Sequence, residues 1–193
     1  VKSFKQFLNE DSNKNYVVIY GGRFQPMHKG HHAVYKKACD MFGADDVYIS
    51  TSDKTNLDPK KGKISPFNFE EKKLIMNKMY DIDPKKIIKT KSPIFAPPEI
   101  VDDHPDKAVI MVVGGKDAKR YQQNEYNEFT SFHSLENGGH YFFNAGDKAD
   151  GISSTDVREH LKTGYKEAFV STFGKHDEDI YNLVSARLQD QSK

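Results

Sequence analysis

The sequence of 193 residues has no tryptophan and one cysteine, Cys39. A single cysteine excludes an intrachain disulfide and a cysteine-rich zinc site, and it fits a reducing, cytoplasmic setting. Long apolar runs are missing as well. No stretch approaches the roughly twenty residues that span a bilayer, and the N-terminus lacks the apolar core of a secretory leader, so a soluble chain with no membrane partner is expected. Charge of one sign is not in excess either: 29 basic against 28 acidic side chains leave a net charge of +1. That balance argues against a protein held on duplex nucleic acid by phosphate neutralisation. No internal repeat or low-complexity tract stands out. The residues present are 36% hydrophobic and 30% charged, a very polar surface around a core that can still close. In place of tryptophan, 13 Phe and 10 Tyr supply the large apolar volume. The length suits one α/β domain with short additions.

Strands and helices alternate along that domain. Tyr16 to Tyr20 (YVVIY) reads as a buried parallel strand closed by Gly21-Gly22. His31 to Phe42 follows as a helix with Val34, Tyr35, Ala38, Met41 and Phe42 on one face, ended by Gly43. Asp46 to Thr51 is a second strand and Phe67 to Tyr80 a second helix. Lys86 to Thr90 is a weaker strand and Ala108 to Val113 a strong one. Lys116 to Gln123 begins another helix, Phe129 to Phe132 and Tyr141 to Phe143 read as strand pieces, and Ser154 to Lys162 starts a further helix. A last helix near Asp177 to Leu188 carries Ile180, Leu183, Val184 and Leu188 at helical spacing. This order predicts a Rossmann-like, doubly wound parallel sheet of about five strands with helices on both faces. Residues 16–165 would form the domain, preceded by an amphipathic segment and linker over 1–15 and followed by a helical extension over 166–193. Ligands of such sheets sit at the carboxyl ends of the strands, so the loops after strands hold the information.

The loop after the first strand reads Gly21-Gly22-Arg23-Phe24-Gln25-Pro26-Met27-His28-Lys29-Gly30-His31. Two glycines let the backbone turn tightly and bring N–H groups close to an anion. His28, Lys29 and His31 gather donors at a helix N-terminus, where the helix dipole also favours phosphate, and Gly30 leaves room for a phosphate chain. A plain turn with surface histidines explains the same residues, and no third ligand completes a metal site with the histidine pair. GRFQPMHKGH resembles the signature of the HIGH-type nucleotidyltransferase superfamily, of the form His-x-Gly-His. Its Gly-Arg-Phe-Gln-Pro variant is most similar to archaeal-type nicotinamide mononucleotide adenylyltransferases. The resemblance implies that His28 and His31 contact a triphosphate, with Arg23, Phe24, Gln25, Lys29 and the loop glycines around the nucleotide.

A second loop supports the first. In Gly151-Ile152-Ser153-Ser154-Thr155-Asp156-Val157-Arg158, Ser153 or Ser154 can cap a helix, and the Ser-x-x-Asp spacing is that of a capping box. Arg158 lies one turn further along and can reach the same anion. ISSTDVR is also similar to the superfamily's second signature, Ile-Ser-Ser/Gly-Thr-x-x-Arg. That likeness implies that Ser154 and Thr155 hold the β- and γ-phosphates, with Ile152 and Ser153 also at the nucleotide, and that Arg158 neutralises developing charge. Gly114-Gly115-Lys116-Asp117 resembles the family's Gly-x-Asp segment with one residue inserted. It makes Gly115 and Asp117 candidates near ribose or base, against a simple helix cap at Asp117.

Three further segments are less specific. The basic loop over residues 52–65 reads as a solvated connection, with a lid over the triphosphate as its functional alternative. The proline-rich stretch 92–105 stiffens a loop in which Phe95 is placed either to stack on a planar ring or to pack locally. Cys39 reads as a small apolar residue.

The reaction implied is Mg²⁺-dependent attack of a small phosphorylated acceptor on the α-phosphorus of ATP, with nicotinamide mononucleotide giving NAD. The alternatives are CTP with a phospho-alcohol and, from another class, a non-catalytic nucleotide-binding or virion structural protein. Homo-oligomerisation is left open. Residues 1–10 (VKSFKQFLNE) place Val1, Phe4, Phe7 and Leu8 on one side of a short helix, which reads as docked on the domain. The segment also resembles capsid-targeting peptides of tailed phages, trimmed after Leu/Ile-x-Glu, which Leu8-Asn9-Glu10 matches. On the targeting reading, a chain beginning at Asp11 keeps full solubility and turnover, whereas losing either on truncation would favour the docked helix.

Overall fold

The computed structural model describes residues 14–146 and 153–189. The helix expected over 1–10, with its targeting and cleavage readings, lies outside the described residues, as does Ile152. The strands are β1 (Tyr16–Gly21), β2 (Val47–Thr51), β3 (Ile87–Lys89), β4 (Ala108–Val113), β5 (Asn127–Glu128) and β6 (His140–Asn144). The helices are α1 (Lys29–Phe42), α2 (Phe69–Tyr80), α3 (Pro98–Val101), α4 (Ala118–Gln123), α5 (Ser154–Leu161), α6 (Lys166–Phe173) and α7 (Glu178–Gln189). All strand pairs are parallel, in the order β3-β2-β1-β4-β6-β5. The expected Rossmann-like fold is therefore present, with six strands rather than about five. The strand anticipated over Phe129 to Phe132 is shifted: the edge strand is Asn127–Glu128, and Phe132–Ser134 is a 3₁₀ turn. Phe129 and Phe132 pack their rings on Phe42 at 5.0 and 5.8 Å, so these aromatics are apolar because they close the core edge.

The period of two along β1 builds both cores. Tyr16, Val18 and Tyr20 face one side with Ile110 and Val112, while Val17 and Ile19 face the other with Val109, Met111 and Phe142. The first side is covered by α1 (Val34, Ala38, Phe42), α2 (Ile75, Met76, Met79) and the C-terminal helices α5 to α7, through Leu161, Phe169 and Val184. The second is covered by the short α3 and α4, through Ile100, Ala118 and Tyr121. The helix cover is therefore lopsided.

Caps set where helices begin. Asn68 accepts from the Glu71 amide at 2.9 Å while the Glu71 carboxylate accepts from the Asn68 amide at 3.0 Å, a reciprocal box that starts α2. The same carboxylate receives Arg187 of α7, at 2.6 Å from Nε and 2.5 Å from an Nη. The last helix thus holds the start of α2. Arg187→Ala removes this clamp from a largely buried carboxylate, and should lower the unfolding free energy by about 1 kcal/mol in urea titrations. An unchanged midpoint would mean that the pair contributes nothing.

Candidate active site

The strand order reverses between β1 and β4, and there, at the carboxyl ends of β1, β2 and β4, lies a cavity of about 700 Å³. Splayed loops at such a switch point leave a crevice open to ligands.

The loop after β1 forms one wall. Phe24 has φ +44°, an unfavourable value for a side-chain-bearing residue. It is held there by edge-on packing against Tyr20 at 5.1 Å and His31 at 5.2 Å. Gly22 permits this, since a Cβ on it would lie 2.7 Å from the Phe24 ring. Gly21 has no room for a Cβ at all, which would sit 1.8 Å from the Pro93 carbonyl oxygen. These glycines allow close approach of the protein's own loops. The expectation that their N–H groups await an anion fails at Gly22, whose amide donates to the Ser50 carbonyl at 3.0 Å. Gly115 likewise donates to the Gly146 carbonyl at 3.2 Å.

His28 and His31 form a reciprocal cap on α1. The Gly30 amide donates to His28 Nδ1 at 3.2 Å, and the His28 amide donates to His31 Nδ1 at 3.4 Å. With both Nδ1 atoms accepting, the neutral rings carry their proton on Nε2. The rings lie 4.0 Å apart. His31 lines the cavity and is 7% exposed. His28, at 3% exposed, stands behind it and off the cavity wall.

The opposite wall is the start of α5. Ser153 caps it by accepting from the Asp156 amide at 3.2 Å, and Asp156 accepts from the Ser153 amide at 3.0 Å. The capping box is therefore present, and it aims the first turn of α5, with Ser154 and Thr155, into the cavity. The first amides of a helix have no intrahelical acceptor. Arg158 is 7% exposed. It donates to the Gln25 carbonyl at 2.9 Å, across 133 residues of chain, and to the Thr155 hydroxyl at 3.2 Å. Burial, and then the charge of Arg23, lower its pKa from the usual guanidinium value, although guanidinium stays charged at any ordinary pH.

Arg23, Lys54, Lys63, Lys91 and Arg120 join Arg158 around the cavity. Asp117 is the sole carboxylate lining it among the described residues, and it pairs with Arg120 at 3.4 Å. A concave wall with this imbalance concentrates positive potential and suits a polyanion. Asp117 makes no capping hydrogen bond to α4, so the simple-cap reading of it is not met.

The cytidylyltransferase-like family model matches residues 19–160, most of the chain and both of these walls. The chain belongs to the cytidylyltransferase-like family. Among curated proteins none matches. Two similar solved structures agree on the fold. One is a bifunctional NMN adenylyltransferase/ADP-ribose pyrophosphatase from Francisella tularensis, complexed with AMP and a manganese ion. It is 18% identical over 92% of this chain and 52% of its own, with a TM-score of 0.59. The present chain thus spans about half of that protein. The other is nicotinic acid mononucleotide adenylyltransferase from Plasmodium falciparum, complexed with NaAD. It is 15% identical over 91% of this chain and 95% of its own, with a TM-score of 0.53.

For this family member, the structure gathers Gly21, Gly22, Arg23, Phe24, Gln25, His31, Asp117, Ser153, Ser154, Thr155 and Arg158 on one cavity. Gln25 contributes mainly by structure, since its amide bonds the Phe67 backbone at 2.8 and 2.9 Å. Lys29 and Gly30 lie off the cavity wall, Lys29 exposed and Gly30 buried in the first turn of α1. Gly115 is replaced on the wall by Gly114. Phe95 is exposed and off the wall, where Pro93 and Ile94 stand instead.

The loop over residues 52–65 is largely exposed, as the solvated reading expects, and it also carries local structure. Asn56 and Ser65 form an antiparallel bridge, and Asp58 caps a turn at Pro59–Lys61. Lys54 and Lys63 line the main cavity and Lys61 an adjoining one. Sequence reasoning missed Lys91, Arg120 and Tyr121, which carry no motif. The Tyr121 hydroxyl donates to the Ile94 carbonyl at 2.5 Å, fixing the wall opposite Gly21. Gly21→Ala should displace the Pro93–Ile94 segment, cost about 1–3 kcal/mol as overpacking does, and weaken nucleotide binding measured by calorimetry. Unchanged affinity in a folded Gly21→Ala protein would show that this wall is not part of the site.

Proposed function

We propose that this chain transfers AMP from ATP to a small phosphorylated acceptor and releases pyrophosphate, with nicotinamide mononucleotide as the acceptor and NAD as the product. The observation that carries this reading is the meeting, in one cationic cavity, of His31 from the first motif with Ser154, Thr155 and Arg158 from the second. The two motifs lie far apart in the chain, and the fold brings them to one cavity.

The chemistry asks for little acid–base work. An acceptor phosphate is already ionised at neutral pH, so its oxygen attacks the α-phosphorus directly. A new P–O bond forms as the bond to the pyrophosphate leaving group breaks, and no proton must be removed first. Catalysis then rests on alignment and on donors placed where negative charge grows. His31 Nε2–H and the Arg158 guanidinium are fixed donors of this kind. His28 holds the His31 ring. The α5 N-terminus, with Ser154 and Thr155, takes the β- and γ-phosphates. Arg23, Lys54 and Lys63 add charge along the phosphate chain.

Mg²⁺ fits as an ion carried in with the triphosphate. No group of three potential ligands occurs among the described residues, and Asp117 is the one cavity carboxylate there. Magnesium at phosphate sites commonly takes one or two carboxylates with substrate oxygens and water. Such an ion would neutralise phosphate charge.

The Gly-Arg-Phe-Gln-Pro form of the first loop supports ATP with nicotinamide mononucleotide, and a CTP-dependent transfer to a phospho-alcohol is the competing reading. Pyrophosphate release from four nucleoside triphosphates against a panel of phosphorylated acceptors separates the two. The fastest release is expected from ATP with nicotinamide mononucleotide, and a clear preference for CTP would replace that pairing. His31→Ala and Arg158→Ala should each lower kcat by about 10²-fold. Arg158→Ala should also lose stability, because its bonds to Gln25 and Thr155 go with it. Near-normal turnover in either variant would remove that residue from the site.

A further inference from the structure

Lys72 lies behind the cavity and takes no part in the transfer step above. It sits on the core-facing stripe of α2 with Phe69, Ile75, Met76 and Met79, and is 1% exposed. Lysine is almost never so buried unless paired. Its Nζ donates to the Thr51 hydroxyl at 3.0 Å, to the Arg23 carbonyl at 3.3 Å, and to the Ser52 carbonyl. The Thr51 hydroxyl in turn donates to the same Arg23 carbonyl at 3.3 Å. One ammonium therefore joins the loop after β1 to the loop after β2. Arg23 and Ser52 both line the cavity. A charge at an apolar helix position breaks the local pattern, and its desolvation is only partly offset by neutral oxygens.

We infer that Lys72 is a positioning residue for the proposed transferase, holding the two loops together from behind so that Arg23, Ser52 and Lys54 form one wall against a nucleoside triphosphate. The inference rests on the functional reading above for its ligand and on geometry alone for its clamp. Burial is the main cause that brings the Lys72 pKa down to about 8, with Asp53 opposing and Arg23 assisting the fall. These are the charged groups that face it, Arg23 from the loop after β1 and Asp53 from the loop after β2, the latter paired with Lys89 of β3 at 3.6 Å. As pH rises through that value the ammonium becomes an amine, with two N–H donors for three acceptors. The clamp and the local positive potential weaken together.

Two measurements test this. Hydrogen exchange on the free protein should speed up in Lys72→Met over residues 21–25 and 51–55, with β4 and α1 still protected. Unchanged exchange in both loops overturns the clamp whether or not a ligand binds. Calorimetry with a non-hydrolysable ATP analogue should show wild-type affinity about tenfold weaker at pH 9 than at pH 7. Lys72→Met should be about tenfold weak at both values. Lys72→Arg, which cannot lose its charge in this range, should keep wild-type affinity at pH 7 and hold it at pH 9. If Lys72→Arg does not fold, the flat profile of Lys72→Met serves as the comparison. The same alkaline fall in either variant as in wild type assigns the titration elsewhere and overturns the proposal. A wild-type protein that binds no nucleoside triphosphate would defeat the functional reading, leaving the exchange result to judge the clamp.

Discussion

The site is assembled around Gln25. Its backbone carbonyl accepts the Arg158 guanidinium, and its side-chain amide pairs both ways with the Phe67 backbone. One residue in the loop after β1 thus fixes the entry to α2 and the second turn of α5, while the helix it precedes carries His31. Arg158 alone could reach many places from α5. Tied to Gln25, it has one, and the two motifs face each other across a defined gap.

That arrangement sets charge against stability. Among the described residues the cavity collects Arg23, Lys54, Lys63, Lys91, Arg120 and Arg158 around one carboxylate, and Lys72 is buried directly behind it. Like charges brought together by folding oppose it. The cost is met elsewhere, by a core in which β1 and β4 are buried on both faces and by the Arg187–Glu71 clamp that ties the last helix to the start of α2.

Much of this was legible in the chain. The β-branched and aromatic runs at 16–20 and 108–113 read as strands from their pattern alone, and the two pair in parallel at the middle of the sheet. ISSTDVR carries its own geometry, because a Ser-x-x-Asp box fixes the helix start and so the direction of Ser154 and Thr155. What stayed hidden has physical reasons. Lys72 reads as one more surface lysine, since its burial depends on where the loops at residues 23 and 52 arrive. Lys91 and Arg120 line the cavity from two segments that the Tyr121 bond to the Ile94 carbonyl joins, a contact between stretches with no shared pattern. Gly21 is visible in the sequence as half of a Gly-Gly turn, but the carbonyl of Pro93, seventy-odd residues on, is what forbids a side chain there.

The amide groups give the site its character. A glycine-rich loop after a strand commonly binds phosphate through backbone N–H groups, yet here Gly22, Gly30 and Gly115 donate to Ser50, His28 and Gly146. Phosphate recognition in the proposed reaction then falls to side chains and the first turn of α5. Long exposed cations such as Arg23 and Lys54 must be immobilised when an anion arrives, at about 0.5–1.5 kcal/mol for each side chain, and salt screens them. His31 and Arg158 escape both penalties, since burial and hydrogen bonds have already fixed them. Donors that need no reorganisation can act on charge that appears only in the transition state. In the proposed reaction the cavity would therefore divide its labour, with exposed cations supplying affinity for the phosphate chain and the two fixed donors supplying rate.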